Sequence, residues 1–175
     1  MDFYTTVFEV IDMRSFSNLW YWVALAVLWS TTSHWILGVP YDLVQRARRE
    51  GGDTEEDVIA MLRGSCNRLT HIGEVLGFWV LGGTCAMLSA LAVLGFWYHV
   101  EFAQAVFLIV FPLSLVGLLS IRAARIIRST GERGEPLYKR MRRHRLLTQA
   151  IGMVSIFITA MWGMYQNLAM GPLGG

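Results

Sequence analysis

The polar segment RAARIIRSTGERGEPLYKRMRRHR spans Arg122–Arg145 and separates two long apolar runs. It contains nine of the fifteen Lys and Arg residues, and five more lie in a second polar segment, Gln45–Thr70. Membrane proteins concentrate basic residues in the loops that stay on the cytoplasmic side. The distribution therefore predicts a membrane protein with both polar segments facing the cytoplasm, but it does not indicate a reaction.

The composition is also that of a membrane protein. Hydrophobic residues make up 54% of the 175 residues and charged residues 16%, whereas a soluble domain usually has about 25% charged residues. Apolar helices of about 20 residues explain this excess better than an unusually large core. We therefore predict one all-α membrane domain over residues 1–175, without a separate soluble domain.

Four apolar runs are long enough to cross a hydrocarbon core about 30 Å thick, which requires roughly 20 helical residues. The second and third runs are separated only by a short hinge around His99–Glu101, which predicts a tight helical hairpin. The predicted spans are residues 19–39, 72–98, 102–121 and 147–168, and the predicted cytoplasmic loops are residues 40–71 and 122–146.

Aromatic residues give a second indication of orientation. Trp20–Trp22 open the first span, Phe96–Tyr98 close the second, and Trp162 and Tyr165 close the fourth. Trp and Tyr favour the membrane interface because their rings are apolar but carry one polar atom. All three clusters lie opposite the basic loops, so both termini are predicted outside, in the periplasm of a bacterial inner membrane. Residues 1–15 are predicted to form an interfacial helix on the outer leaflet, or alternatively an arm that binds a partner.

Each cytoplasmic loop has its own pattern. The first is predicted to form two polar helices broken at Gly51–Gly52, and its charges nearly balance. The second turns at Gly131–Pro136 and carries a basic surface that attracts anionic lipid heads, worth about 1 kcal/mol per residue. Alternatively, this surface docks an acidic soluble partner or the chain's own acidic cluster, Glu55–Asp57. Nucleic acid is not predicted as a partner, because no aromatic residues suited to base stacking interleave the arginines. The basic surface consists of Lys139, Arg140, Arg142, Arg143 and Arg145.

Four ionisable side chains form a candidate polar site at the inner end of the membrane. His71 and Glu74 are three residues apart, which puts them on one helix face at the mouth of the second span. His34 and His144 are expected at a similar depth. Such residues within a membrane segment are functional candidates, either as metal or haem ligands or as an ion path. The alternative is an ordinary ion pair between Glu74 and an arginine such as Arg68 or Arg145, with ordinary hydrogen bonds for the histidines. No cofactor is predicted.

Polar and small residues within the spans predict close helix packing. The run Ser30–His34 includes Thr31 and Thr32. Some of its hydroxyls can bond back to the carbonyl one turn earlier, and the rest are expected to contact other helices, or alternatively to line a pore. Small residues let helix backbones approach closely in lipid. A stripe of them along the second span fits either packing within one bundle or self-association, and consists of Gly73, Gly77, Gly82, Ala86 and Ala90.

Three stretches carry a family resemblance: FEVIDMRSFSNLWYW (Phe8–Trp22), GVPYD (Gly38–Asp42) and EFAQAVF (Glu101–Phe107). They resemble a small four-span membrane family of alphaproteobacteria related to Rhodobacter, whose members are commonly labelled a component of the SufBCD complex. That complex assembles iron–sulfur clusters. The resemblance covers most of the chain and implies a bacterial inner-membrane location, but it assigns no functional residues.

Catalytic motifs are absent from the sequence, which contains no phosphate loop, GxSxG, HExxH or CxxC. We therefore predict a non-enzymatic accessory or scaffold subunit that packs with itself, as a homo-oligomer, or with a larger respiratory or photosynthetic membrane complex. The first alternative is a small oligomeric ion channel or transporter that uses Ser30–His34 and Glu74. The second is a haem- or metal-binding redox subunit.

Overall fold

Nearly all of the described chain is helical. The computed structural model describes residues 15–169. The interfacial helix predicted over 1–15 therefore lies outside the described residues, except for Ser15, which begins a short 3-10 helix ending at Ser17. Within the described range the helical fold class is confirmed. The α-helices are α1 (Leu19–His34), α2 (Tyr41–Glu50), α3 (Gly52–Val75), α4 (Gly77–Ala92), α5 (Glu101–Thr130) and α6 (Glu135–Ala169).

Three helical segments are long and apolar enough to cross a membrane: Gly77–Trp97, Glu101–Thr130 and Glu135–Leu168. The first combines α4 with a π-helical turn, Val93–Trp97. α1 is apolar but has 16 residues, which extend about 24 Å at a rise of about 1.5 Å per residue. Within the part of the chain that the structure describes, the first predicted span, residues 19–39, is therefore not confirmed, and three of the four predicted spans are supported.

A tight hairpin explains why α1 ends at His34 rather than at residue 39. Two short antiparallel strands follow the helix, β1 (Trp35–Ile36) and β2 (Val39–Pro40). The two residues between them, Leu37 and Gly38, have φ angles of 51° and 77°, as a two-residue hairpin turn requires. Because the Leu37 side chain is buried in protein, the turn is as apolar as a span, and composition alone predicts a longer helix.

Glycines mark two of the helix ends, as the sequence predicts. Gly51 follows the last residue of α2 with a φ of 64°, which confirms the break at Gly51–Gly52. Gly131 follows α5 in the left-handed region, with a φ of 61°, inside the predicted turn at Gly131–Pro136. A third break was not predicted. Leu76 interrupts the helical run between α3 and α4, where a single span was expected over 72–98.

The polar segments pack around a hydrophobic core of their own. α3 lies against both α2 and α5, and the short hairpin contacts α3 and α6. We call this region, which comprises β1, β2, α2, α3 and residues 122–146, the cap. Its core side chains are almost inaccessible, as in a soluble domain, and include Ile36, Val39, Val44, Val58, Leu62, Ala124, Leu137 and Met141.

The rest of the described chain, which we call the membrane half, has a smaller apolar core. It comprises the 3-10 helix, α1, α4, the π-helical turn and the apolar parts of α5 and α6. Within the described residues its buried apolar cluster is Leu25, Trp29 and Val116. α1 packs closely against α6 at one point, since a Cβ atom on Gly152 would lie 2.8 Å from Cε3 of Trp29. A glycine at this position therefore lets the indole ring reach the helix backbone.

α4 is the least buried helix of the membrane half. No side chain between Gly77 and Ala92 is buried. Phe78 is 83% exposed and Trp79 is 76% exposed, so large apolar surfaces face away from the rest of the chain. In water this exposure would be unfavourable, whereas in lipid it costs little because acyl chains are as apolar as these side chains.

Candidate functional site

The predicted polar site does not come together in the structure. His144 is buried, with its Nε2 3.2 Å from Oγ of Ser120. His34 is half-exposed, with its Nε2 3.8 Å from a carboxylate oxygen of Asp42. Between residues 15 and 169, no three His, Cys, Asp or Glu side chains are grouped closely enough to hold a metal ion. The histidines therefore make separate local contacts instead of sharing one ligand.

Glu74 makes a contact of the kind that the ion-pair alternative predicts. Its carboxylate lies 3.9 Å from Nη1 of Arg128 on α5, and both side chains are about half-exposed. The same Arg128 nitrogen donates a hydrogen bond of 2.7 Å to the hydroxyl of Thr70, which is fully buried. His71 is exposed and lies on the same turn of α3. The pair thus ties the end of α3 to α5 at the boundary between the cap and the membrane half.

The hydroxyl run in α1 bonds mostly within its own helix. The Thr32 hydroxyl donates to the carbonyl of Leu28 at 2.7 Å, and the Ser33 hydroxyl donates to the carbonyl of Ser30 at 3.0 Å. Bonds of this kind hide a hydroxyl without a partner helix. Thr31 is exposed. Thr32 and Ser33 are therefore among the hydroxyls that bond back within α1, and the expected contact of the remaining hydroxyls with other helices stays a prediction.

The best-connected polar group in the membrane half is one that the sequence analysis missed. Gln104 is completely buried near the start of α5. Its amide nitrogen donates to the carbonyl of Gly95 at 2.7 Å, and its amide oxygen accepts hydrogen bonds from Nε1 of Trp162, at 2.9 Å, and from Nε2 of Gln166. One amide therefore joins the π-helical turn, α5 and α6. Two glutamines within apolar runs are the signal that could have identified it.

The approach of the π-helical turn to α5 depends on a glycine. A Cβ atom on Gly95 would lie 2.9 Å from the backbone nitrogen of Gln104. Close to the same end of α5, Glu101 accepts a hydrogen bond of 2.8 Å from the backbone nitrogen of Phe16. The Tyr21 hydroxyl donates to the carbonyl of Ala105 at 3.3 Å. These contacts fix the positions of the 3-10 helix, α1 and the π-helical turn relative to α5.

A basic cleft lies between α2 and α6. It has a volume of about 490 Å³ and is lined on one side by Arg48 and Arg49 and on the other by Arg142 and Arg145. Arg48 makes two hydrogen bonds to the carboxylate of Glu135, of 3.1 and 2.7 Å. Arg142 and Arg145 belong to the basic surface predicted from the sequence, whereas the two arginines that α2 adds to the cleft were not predicted.

The other basic residues are arranged differently. Arg140 is paired with Glu132, with 2.6 Å between its Nε and a carboxylate oxygen. The hydrogen bond from Arg140 holds the pKa of Glu132 below its usual range. Lys139 and Arg143 are exposed. The basic surface is therefore divided into one neutralised arginine, two exposed cations and a cleft.

The acidic cluster touches the second polar segment through one residue. A carboxylate oxygen of Glu55 accepts a hydrogen bond of 3.1 Å from the backbone nitrogen of Gly134. The contact is to the turn between α5 and α6. Among the described ion pairs, none joins the Glu55–Asp57 cluster to an arginine.

Only the first member of the predicted small-residue stripe is used inside the described chain. A Cβ atom on Gly73 would lie 2.9 Å from Ile121 of α5, whereas Cβ atoms on Gly77 and Gly82 would meet nothing within 4 Å. Ala86 and Ala90 are exposed. Beyond Gly73, the stripe therefore faces outwards along α4.

Comparisons of the chain with protein-family models, with curated proteins and with solved structures found no match. The resemblance to alphaproteobacterial membrane proteins therefore stays a prediction. Function is inferred instead from three geometric features: the packed cap, the basic cleft and the outward-facing stripe of α4.

Proposed function

We propose that the chain is a non-enzymatic integral membrane subunit that packs through α4 with a second copy or with a larger membrane complex, and that presents its cap and basic surface to the cytoplasm. The observation that carries the proposal is the exposed face of α4. The absence of catalytic motifs from the sequence supports a role without chemistry of its own.

The exposed face of α4 has the composition of a helix–helix interface. Gly82, Ala86 and Ala90 follow one another at four-residue intervals and therefore lie on one face. A Cβ atom on Gly82 or Gly83 would meet no other atom within 4 Å, so the described chain leaves this face open. In lipid, small residues gain their packing energy only when another backbone approaches closely. A neighbouring helix is thus a better occupant of this face than acyl chains.

We further propose that α1 is the fourth membrane helix and that both termini lie in the periplasm of a bacterial inner membrane. Leu19 and Trp20 at the start of α1 are 74% and 77% exposed, which suits contact with lipid at the interface. A helix of 16 residues crosses where the bilayer thins locally, at a cost of fractions of a kcal/mol per Å. The clustering of basic residues in the cap supports a cytoplasmic cap.

No contact among the described residues favours the channel or redox alternatives. Thr32 and Ser33 bond back to their own helix, and Glu74 pairs with Arg128. These alternatives therefore remain as outcomes of the experiment. The proposed family relationship adds an inner-membrane location but no partner.

Crosslinking from α4 tests the proposal. With Cys66 and Cys85 replaced by serine, an Ala86→Cys variant should crosslink in native membranes to a second copy or to a neighbouring membrane protein. Met153→Cys is the matched control, because Met153 is 67% exposed on α6, away from the small stripe. If native mass spectrometry of the gently solubilised protein gave only a monomer, and neither position crosslinked, the proposal would be wrong.

A second variant separates assembly from folding. Gly82→Leu should abolish the crosslink from Ala86→Cys, because the added side chain blocks the approach of a partner backbone. It should leave the unfolding temperature of the separated chain unchanged, since a Cβ atom at Gly82 meets nothing. A preparation with a Soret band, bound metal or ion flux in liposomes would instead support an alternative function.

A further inference from the structure

We infer that the cleft between α2 and α6 binds the phosphate group of an anionic membrane lipid. The inference deepens the proposed function, because it rests on the proposal that the cap lies at the cytoplasmic face of the membrane. It differs from diffuse attraction to a basic loop, since it assigns the binding to four particular arginines, two of which come from a segment that the charge pattern did not connect with α6. The arginines are Arg48, Arg49, Arg142 and Arg145.

The charges in the cleft are unbalanced. Four guanidinium groups line it, and the one carboxylate that the described structure pairs with them is that of Glu135, which binds Arg48. Among the described residues, Arg49, Arg142 and Arg145 have no carboxylate within 4.0 Å. Like charges that line one cleft repel one another, and an anion bound between them would offset this repulsion by attracting each of them. Guanidinium groups suit phosphate in particular, because their planar fork can donate two parallel hydrogen bonds to it.

One of these arginines is held in place before any ligand arrives. The guanidinium carbon of Arg145 lies 4.0 Å from the centroid of the Tyr41 ring, a cation–π contact that fixes the plane of the group. Nε of Arg145 is buried and has no hydrogen-bond partner in the part of the chain that the structure describes. A buried donor without an acceptor is unfavourable. The contact with Tyr41 therefore orients the Arg145 guanidinium group at the cleft before any ligand binds.

The position of the cleft indicates a lipid as the source of the phosphate. Arg142 and Arg145 immediately precede the apolar part of α6, and Leu146 both lines the cleft and is 55% exposed. Leu147, the next residue, is 41% exposed. The cleft is therefore a basic pocket with an apolar lower edge, at the level where a helix passes from headgroups to acyl chains. A phospholipid would place its phosphate in the cleft and its acyl chains against this apolar edge, whereas a soluble phosphate compound would leave the edge uncovered.

Two charge-matched double variants test the inference. Arg142→Gln with Arg145→Gln removes two charges from the cleft. Lys139→Gln with Arg143→Gln removes two charges from exposed positions on the same helix that do not line the cleft. The full-length protein would be exchanged into nanodiscs of phosphatidylcholine with a small fraction of phosphatidylglycerol, and the lipids retained after gentle release would be counted by native mass spectrometry.

The inference predicts that the wild-type protein and the Lys139/Arg143 double variant retain phosphatidylglycerol in preference to phosphatidylcholine. The Arg142/Arg145 double variant should lose at least about tenfold in affinity for phosphatidylglycerol, the effect of losing one charge-assisted hydrogen bond or more. An Arg145→Lys variant should fall between them, because it keeps the charge but loses the stack on Tyr41. Equal unfolding temperatures would show that the variants are folded.

Three results would overturn the inference. An equal loss of affinity for phosphatidylglycerol in the two double variants would mean that the lipid is attracted diffusely to the whole basic surface. Displacement of the lipid by millimolar inorganic phosphate would mean a site for a soluble phosphate compound. Retention of phosphatidylcholine as strongly as phosphatidylglycerol would mean that the negative charge of the lipid is not recognised. Crosslinking from Ala86 is measured separately, so a failure here can be distinguished from a failure of the proposed assembly through α4.

Discussion

The cap buries mainly apolar side chains, whereas the membrane half also buries several polar side chains and exposes many large apolar ones. In the cap, Val58 and Met141 are completely buried and most of the charged side chains are exposed. In the membrane half, the completely buried side chains include Gln104 and Thr159, while Trp79 is 76% exposed. The first arrangement is what the hydrophobic effect produces in water. The second is what lipid favours, because polar groups must find partners inside the protein and apolar groups need not.

The two regions of this short chain are therefore stabilised by different interactions. α3 belongs to the cap and α4 to the membrane half, and Leu76 separates them. α6 crosses from one region to the other without a break. Stability in the cap should therefore depend on filling its apolar core, and stability in the membrane half on close backbone contacts and on buried hydrogen bonds.

The largest effect is expected from a cavity in the cap. Leu62→Ala removes a side chain that is 3% exposed, and should lower the free energy of unfolding of the cap by about 2–5 kcal/mol. Met61→Ala is the neighbouring control, since Met61 is 43% exposed, and should change it by less than about 0.5 kcal/mol. The measurement is the rate of thiol labelling at Cys66, which is buried in the same core.

Labelling of Cys66 is a suitable reporter because burial also raises the pKa of its thiol. The folded cap should therefore protect Cys66 both by exclusion and by keeping it protonated. If Leu62→Ala and Met61→Ala changed the labelling rate of Cys66 equally, the cap would not have the packed core of a soluble domain. The contrast between the cap and the membrane half would then be wrong.

The next effect tests close packing in the membrane half. Gly152→Ala places a methyl group 2.8 Å from Cε3 of Trp29, so the rigid indole ring or the helix must move, at a cost of about 1–3 kcal/mol. Gly83→Ala adds the same group where nothing lies within 4 Å, and should be neutral or stabilising by up to about 1 kcal/mol. Thermal unfolding in mild detergent, followed by tryptophan fluorescence, distinguishes the two. Equal destabilisation would contradict the contact between α1 and α6.

A similar or smaller effect is expected from the buried amide network. Gln104→Leu leaves the carbonyl of Gly95, Nε1 of Trp162 and Nε2 of Gln166 without this partner, and should cost about 1–3 kcal/mol. Gln166→Leu should cost less, because Gln104 keeps its other two hydrogen bonds. The double variant should be less destabilised than the sum of the single variants, since both remove the same hydrogen bond. Strict additivity would show that the two amides do not interact.

The smallest effect depends on pH. Because Arg140 lowers the pKa of Glu132 in the folded cap, ionised Glu132 stabilises the fold above the usual carboxyl range, and this contribution is lost as the pH falls through the lowered pKa. Arg140→Gln should therefore cost about 0.5–1 kcal/mol near pH 7 and nothing in strong acid. Arg143→Gln, at an exposed position, should show no such pH dependence. Denaturation curves from pH 7 to pH 2 check both.

Local chemistry made part of this fold predictable. Gly51 and Gly131 end helices where the sequence predicts, because a positive φ suits glycine better than other residues. The hairpin at Leu37 was not predictable, since a leucine with a φ of 51° is held there by the surrounding cap core. The break at Leu76 was missed for a related reason: an apolar run gives no local signal for an interruption.

In the candidate site, too, local spacing was predictable and the contacts made by tertiary packing were not. The i,i+3 spacing of His71 and Glu74 does place both on one turn of α3, but their partners depend on which helix packs alongside, and Arg128 lies 54 positions further along the chain than Glu74. The basic cleft likewise requires α2 to lie against α6, which no spacing within either segment reveals. Charge clustering predicted a basic surface, and tertiary packing divided it into a cleft, a neutralised pair and exposed cations.

The central claim is that the two regions lie in different solvents, and labelling in native membranes tests it most directly. Met61 on α3 and Trp79 on α4 are both exposed on the folded chain. With Cys66 and Cys85 replaced by serine, Met61→Cys should react rapidly with a water-soluble maleimide once the cytoplasmic face is opened. Trp79→Cys should react only after the membrane is dissolved. Equal reaction of the two in intact membranes would contradict the account.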